Sequence, residues 1–361
     1  MDGKVVVSLD QAMQMAMDEA LKGAPFVSPN PKVGCVILDS HGHLLAKGYH
    51  TRYGQAHAEV EALKGLSPEQ LRGAHVIVTL EPCAHQGKTP SCARHLATLP
   101  LKKVTYGLLD PNPLVAGKGA EILKAAGFEV EEYSGPLKSD LEEICEEFLW
   151  NFREKKIFVA LKIAQSLDGK IALKNGDSQW ITGPESREKA HELRAQYDAT
   201  LVGLGTVLKD NPSLNIRHPR IEKQNRVVIL DRRGDCLKKT ESLKLFQVHA
   251  PENIFVCVQP GLGFSSTKAQ VLETHDLPDT LKQLFDRGLR SVMVEGGAQV
   301  AGEFLRSNLI QRFHIFTAPF VMGQGLSWSE GLDLVKLTER KTLRSVQSAL
   351  FGADLYVTGR S

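Results

Sequence analysis

Two series of alternating strand and helix signals, separated by one charged amphipathic stretch, constrain this chain most. In the first series Asp10 can cap a helix over 11–22, and 32–38 reads as a short apolar strand after the Pro29-Asn30-Pro31 turn. Helix signals at 58–66, 93–99 and 120–126 then alternate with strand runs at 75–80 and 104–108. The stretch 140–156 mixes acidic and basic residues with an apolar stripe, which predicts a solvated helix able to act as a hinge, with Trp150 as its apolar anchor. A strand at 157–162 opens the second series, with further runs at 199–202, 226–230, 254–258, 291–294 and 312–317. Two layered α/β domains are therefore expected, 1–149 and 150–361. The length of 361 residues agrees, because single cores stop growing near about 250–300 residues.

Charge narrows the partners. With 44 Lys+Arg against 42 Asp+Glu the net charge is +2, so no global field draws the chain to nucleic acid or to an anionic membrane. A small-molecule partner is expected instead. No apolar run reaches the roughly 18 residues of a spanning helix, and residues 1–8 lack the apolar core of a signal peptide. Six thinly spread cysteines need no covalent framework, so a cytoplasmic, reduced setting is expected. Of these, Cys35, Cys145, Cys236 and Cys257 read as packing residues.

The remaining two cysteines belong to a cluster that carries chemistry: His57-Ala58-Glu59, then Glu81-Pro82-Cys83, then Cys92. One imidazole and two thiolates suit zinc and leave a fourth position for water. Zinc lowers the pKa of such a water from about 15.7 toward about 7. Glu59 would then carry protons. Residues two apart on a helix diverge by about 200°, so His57 and Glu59 share a pocket only if they stand at the helix's first turn. The pattern matches hydrolytic deamination, with His-x-Glu followed by Pro-Cys. It departs from the nucleoside deaminases in placing eight residues between the two cysteines. A closed structural site with His85 as fourth ligand is the bland alternative. Two functional alternatives also stand: a nucleic-acid base deaminase with an RNA-binding second half, and a non-enzymatic zinc module joined to a nucleotide sensor. The first wants a clustered basic surface that the near-neutral charge does not supply.

In the second half, Val294-Glu295-Gly296-Gly297 leads from a strand into a helix. Such a turn lets a pyrophosphate approach backbone N–H groups. It also occurs in proteins without a ligand. Val202-Gly203-Leu204-Gly205-Thr206-Val207 only approaches a dinucleotide fingerprint, because Leu208 stands where the third glycine would be.

Longer motifs add a resemblance. Pro29-Asn30-Pro31-Lys32-Val33-Gly34, Gly48-Tyr49-His50, His57-Ala58-Glu59 and the run from Glu81 to Cys92 resemble the deaminase half of the bifunctional riboflavin-biosynthesis deaminase/reductase family. The eight-residue gap is that family's. The segments 162–170, 178–182 and 205–214 resemble its reductase half, so the likeness covers essentially the whole chain. It implies an N-terminal cytidine-deaminase-like α/β/α domain and a C-terminal dihydrofolate-reductase-like α/β domain. It further implies deamination of a phosphoribosylamino-diaminopyrimidinone, then NADPH-dependent reduction of its ribosyl group to ribityl.

By the same resemblance, His57, Cys83 and Cys92 hold one Zn²⁺ per chain and Glu59 is catalytic. Asn30, His50, His85, Lys88, Asp110 and Asn112 contact the pyrimidine substrate. NADPH is assigned Ala164, Trp180, Thr206, Asp210 and the segment Gly297, Ala298, Gln299, Val300, Ala301, Gly302 and Glu303. Lys162, Ser178, Arg194, Leu214, Arg217 and Glu295 are assigned to the reductase substrate. Arg217 suits a phosphate because a guanidinium binds it bidentately, although it sits in an exposed-looking loop where a solvated Arg is common. Arg232, just past a strand end, is placed by fold analogy near the 2′-phosphate of NADPH. A homo-oligomer is also expected from the family.

Overall fold

Strand β1 (Gly34–Leu38) is buried on both faces, with Cys35 and Ile37 in one hydrophobic cluster and Val36 and Leu38 in another. Side chains alternate across a strand, so an all-apolar run calls for a layer on each side. The computed structural model describes residues 5–85, 91–112 and 116–361, so Lys88 lies outside the described residues. The chain divides into two compact units, 1–155 and 156–361.

In the first unit β1 is joined by β2 (Leu44–Tyr49), β3 (His75–Leu80), β4 (Lys103–Leu108) and β5 (Glu129–Glu132) in the order β2-β1-β3-β4-β5. The β2, β1 and β3 pairings are antiparallel, whereas β3, β4 and β5 run parallel. One layer holds the helices Leu9–Lys22 and Lys138–Ile144; the other holds Ala58–Leu63, Cys92–Leu96 and Lys118–Ala125. Two glycines let helices lie directly on the sheet. A Cβ on Gly34 would stand 1.9 Å from the Ala16 carbonyl oxygen, and one on Gly48 would stand 2.3 Å from the Ala62 nitrogen.

Two expectations need correction here. Ser8, not Asp10, caps the first helix: its Oγ accepts the Gln11 N–H while Gln11 Oε1 accepts the Ser8 N–H, a reciprocal box that starts the helix at Leu9. Asp10 instead accepts the Tyr133 hydroxyl at 2.6 Å. The stretch 140–156 forms two helices meeting at Cys145, the second being Glu146–Glu154. They are packed and not simply solvated, because Leu141, Ile144, Cys145 and Leu149 join the core beneath Leu9–Lys22.

The second unit holds β6 (Phe158–Ser166), β7 (Lys170–Leu173), β8 (Ala199–Gly203), β9 (Arg226–Leu230), β10 (Ile254–Val258), β11 (Gln270–Glu273) and β12 (Ser291–Val294). It continues with β13 (Arg312–Ala318), β14 (Gly325–Ser327), β15 (Arg344–Phe351) and β16 (Asp354–Arg360). Nine of these form one sheet in the order β11-β10-β9-β8-β12-β6-β13-β16-β15, while β7 and β14 form a ribbon. From β11 to β13 every neighbour is parallel. Such strands are covered on both faces and read as apolar runs, which is why they were recognisable. The chain travels outward from β8 to β11 and returns to β12 beside β8, so β8 and β12 flank the point where strand order reverses. Ligands of open α/β sheets bind at the carboxyl ends of strands there. Among the described residues no helix is long and apolar enough to cross a membrane.

Candidate active sites

In the first unit the chain leaves β3 through Glu81 and Pro82 to Cys83, and three backbone-directed bonds pull Cys92 beside it. Ser91 Oγ donates to the Cys83 carbonyl at 2.7 Å, the Ala93 N–H donates to the same carbonyl at 3.1 Å, and the Cys92 N–H donates to Cys83 Sγ at 3.3 Å. Ser91 also caps the helix Cys92–Leu96 by accepting the Arg94 N–H. His57 stands at the N-cap of Ala58–Leu63 with Nδ1 3.3 Å from Cys92 Sγ and 3.6 Å from Cys83 Sγ.

All three ligand atoms lie within 4.8 Å of one another. Among the described residues no other such group converges. An N/S/S donor set fits zinc with one position open. His85 is exposed on the same cavity but is not among the convergent donors, so it does not close the site.

Charge is distributed unevenly over this cluster. The Cys92 thiol and His57 hydrogen-bond to Cys83 and hold its thiol down to about 4, while donation to Cys83 and burial push the Cys92 thiol up. Two neighbouring thiols cannot both ionise without a cation to share. Burial, with the Cys83 sulfur charge nearby, pushes the Glu59 carboxyl up to about 6. That is the range in which a carboxyl group passes protons near neutrality.

Glu59 stands in the first turn of its helix and lines one cavity of 330 Å³ with His57, Cys83, Asn30, His50, His85, Asp110 and Asn112. His50 Nδ1 lies 2.9 Å from the Ala56 carbonyl, so the ring hydrogen belongs there and Nε2 accepts the Asn30 Nδ2 amide at 3.1 Å. Burial pushes the Asp110 carboxyl up to about 6 even though the Asn112 N–H donates to it.

The lining residues Tyr53, Gln55, Phe148 and Phe152 escaped the sequence reading, and Glu81 was read only as part of its motif, with no role of its own. Glu81 is buried and accepts the N–H groups of Asp110, Gly117 and Ala120 at 3.4, 3.0 and 3.1 Å. It thereby fixes the backbone that carries Asp110. Its place inside the Glu-Pro-Cys motif was the available signal.

In the second unit, Glu295 follows β12 directly and is largely buried against Arg194 and Lys162. Arg194 grips it bidentately, Nε to Oε1 at 2.8 Å and Nη2 to Oε2 at 3.1 Å, and Lys162 Nζ stands 3.7 Å away. Burial alone would raise the Glu295 carboxyl, yet the two cations hold it down to about 2. The same burial lowers the Lys162 ammonium.

Arg194 Nη1 also donates to the Asn215 carbonyl and lies 3.3 Å from His191 Nδ1. The Arg217 N–H meets that same nitrogen at 3.2 Å, and its guanidinium donates to Ser213 Oγ. Burial, then Arg194 and Arg217, push His191 down to about 4, so the ring stays a neutral acceptor between the two arginines. Leu214 is buried with φ of 55°.

The turns after β8 and β12 stand side by side at the carboxyl edge. Gly203 caps the helix Leu204–Asp210 and Gly297 caps Ala298–Arg306. A Cβ on Gly205 would meet nothing, and one on Gly297 would come no nearer than 3.9 Å to Thr206 Oγ1. Open space between two helix starts fits a pyrophosphate-bearing group such as NADPH.

The other assigned positions lie at varied depths. Ala298 and Val300 are half-buried and Gln299 is exposed; Ala301 packs in the core, Gly302 lies under the Glu330 carbonyl, and Glu303 pairs with Arg306. Ala164 lies on β6 opposite Phe316 of β13, and Asp210 ends its helix half-buried. Arg232 is exposed one residue beyond Asp231, after β9, and donates to the His275 carbonyl. Ser178 is half-buried, while Trp180 is exposed beneath the Arg187 guanidinium at 4.8 Å.

Residues 157–357 match the family described as RibD C-terminal domain, and residues 7–108 match the cytidine and deoxycytidylate deaminase zinc-binding region. The chain is 36% identical over 350 residues to riboflavin biosynthesis protein RibD of Aquifex aeolicus, covering 96% of each chain. It is 38% identical to the Bacillus amyloliquefaciens protein of that name, covering 96% of this chain and 94% of that one. Its fold superposes on Acinetobacter baumannii RibD with a TM-score of 0.87 at 34% identity, covering 98% of this chain and 100% of that one. A Thermotoga maritima diaminohydroxyphosphoribosylaminopyrimidine deaminase/5-amino-6-(5-phosphoribosylamino)uracil reductase gives 0.86 at 36% identity, with 98% of both chains covered.

Proposed function

The chain belongs to the RibD family of riboflavin-biosynthesis enzymes, and from that premise we propose how its two reactions divide between the two sites described above. It is a bifunctional enzyme. It uses zinc for the hydrolytic deamination of 2,5-diamino-6-(5-phosphoribosylamino)pyrimidin-4(3H)-one, and NADPH for reduction of the ribosyl group to ribityl phosphate.

The deaminase reaction is assigned to the first-unit cavity. His57, Cys83 and Cys92 would hold zinc, which when bound supplies the Lewis acidity that lowers the pKa of water from about 15.7 to about 7. Glu59 takes a proton from the attacking water and returns protons to the ring nitrogen and the departing ammonia. Asn30, His50, His85, Asp110 and Asn112 read the edges of the pyrimidine and its sugar; Lys88, outside the described residues, is assigned to the same substrate by the family resemblance alone.

The reductase reaction is assigned to the carboxyl edge of the second sheet, where NADPH supplies the hydride. Thr206 and the Gly297–Val300 turn take the cofactor phosphates, with Ala164, Trp180, Asp210 and Arg232 around the rest of the molecule. Lys162, Ser178, Arg194, Leu214, Arg217 and Glu295 face the sugar phosphate. The observation that carries this division is the convergence of His57, Cys83 and Cys92 with Glu59 in one cavity.

The decisive experiment follows ammonia release and NADPH absorbance separately on the diaminopyrimidinone phosphate, alongside zinc content. About one zinc per chain is expected, and chelation should remove ammonia release while sparing NADPH oxidation on pre-deaminated substrate. Full ammonia release from zinc-free protein would sink the assignment.

A homo-oligomer is the second element of the proposal. Strand β15 is an edge strand of eight residues, seven of them exposed, and Val346 and Leu350 on it are 55% and 70% exposed. Long bare edges of this kind invite pairing unless they are covered. A second copy is the occupant proposed. Light scattering should give a multiple of the chain mass, and Val346→Lys with Leu350→Lys should shift it toward the monomer. A monomeric wild type would refute this part.

A further inference from the structure

The helix Glu146–Glu154, whose sequence suggests only a linker, contributes two phenyl rings to the deaminase cavity. Phe148 and Phe152 stand one helical turn apart with ring centroids 4.8 Å from each other, and both line the space that holds Glu59, Asn30 and His50. Each ring is half-buried, unlike the fully enclosed core side chains, and Phe148 also packs on the cluster beneath it.

The helix is fastened to the segment that follows Asn30 and Pro31. Lys32 Nζ donates to both Glu147 carboxylate oxygens at 3.0 and 2.9 Å, with the two side chains only 13% and 16% exposed. One residue before Glu146, the Cys145 thiol donates to the Lys32 carbonyl at 3.5 Å. Lys32 directly follows Asn30 and Pro31, which line the cavity.

We propose that Phe148 and Phe152 form the aromatic wall against which the planar pyrimidine ring is held, and that the Lys32–Glu147 pair is the positioning device that sets that wall. This rests on the deaminase assignment above. The chemistry is complementary: polar groups at Asn30, His50, Asp110 and Asn112 meet the hydrogen-bonding edges of such a ring, while its faces need an apolar or π surface. Of the residues lining this cavity, these two phenyl groups offer that surface as a pair on one rigid element. The ion pair ties positions 115 residues apart in sequence, so helix and Asn30 segment keep one spacing.

The test is steady-state ammonia release by the full-length, zinc-loaded chain. Truncating a base-stacking aromatic to alanine typically weakens binding by roughly 5- to 150-fold. Phe148→Ala and Phe152→Ala should therefore raise KM by that order with kcat changed at most a few-fold. Phe148→Leu and Phe152→Leu, which keep most of the packing volume, should raise KM in the same direction. Lys32→Glu and Glu147→Lys should each raise KM, and the two together should restore it to within a few-fold of wild type.

Zinc content and NADPH oxidation on deaminated substrate report folding independently. Unchanged KM in folded, zinc-loaded phenylalanine variants would overturn the wall; a double reversal no better than the singles would overturn the positioning role. A zinc-loaded wild type that releases no ammonia would instead overturn the deaminase assignment itself, and the wall with it.

Discussion

Glu59→Gln is expected to lower kcat for ammonia release by about a thousandfold or more while leaving zinc bound. Positioned general acid–base groups contribute about 10²–10⁴-fold, and in the proposed mechanism one carboxyl serves both proton transfers. The amide keeps the size and hydrogen-bonding reach of the carboxyl but cannot give up or take a proton in this range. Burial keeps bulk water from substituting for it, because Glu59 is only 4% exposed. NADPH oxidation on pre-deaminated substrate should be unaffected. Loss of both activities in a folded, zinc-loaded variant would mean that the two reactions do not have separate sites.

The second large effect belongs to Glu295. Glu295→Ala should destabilise the second unit by about 3–5 kcal/mol, since removing one partner of a buried ion pair leaves charge uncompensated, and it should abolish reduction. Arg194 loses its bidentate acceptor and Lys162 its counter-ion together.

The pH dependence has a defined sign. A carboxyl held near 2 in the folded chain, against 4.5 ordinarily, adds stability that is present above about 4.5 and lost as pH falls toward 2. The lowered Lys162 ammonium offsets part of it, so the triad contributes less than the carboxyl's shift alone implies. Urea unfolding followed with NADPH oxidation measures both effects. A loss below about 1 kcal/mol would show that the triad is not a structural unit.

What was legible in the sequence followed from chemistry that residue type alone declares. His57, Cys83 and Cys92 have few reasons to be spaced as they are apart from a metal, and parallel strands such as β10 announce themselves as unbroken apolar runs. The losses have physical causes. Strand β15 has nearly every residue exposed, so it lacks the in-out alternation that marks a strand. Phe148 and Phe152 belong to an apolar stripe that reads identically whether it faces a core or a cavity. Ser8 and Asp10 both favour caps, and only the reciprocal bond from Gln11 decides between them. The Gly203 turn fell short of a known fingerprint because its partner is another strand's turn, at Gly297, rather than a third glycine nearby.

On the proposed reductase assignment, the grouping at Glu295 would also govern how a charged metabolite is captured. Lys162, Arg194 and Arg217 outnumber the single carboxylate among them, yet the whole chain carries only +2. At physiological ionic strength such an excess is felt over about 8 Å. Recruitment of a phosphate ester to the proposed site would therefore be decided mainly by collisions near its mouth, with little steering by the molecule's net charge. Selectivity can then rest on fit and desolvation at short range, where other cellular anions are turned away.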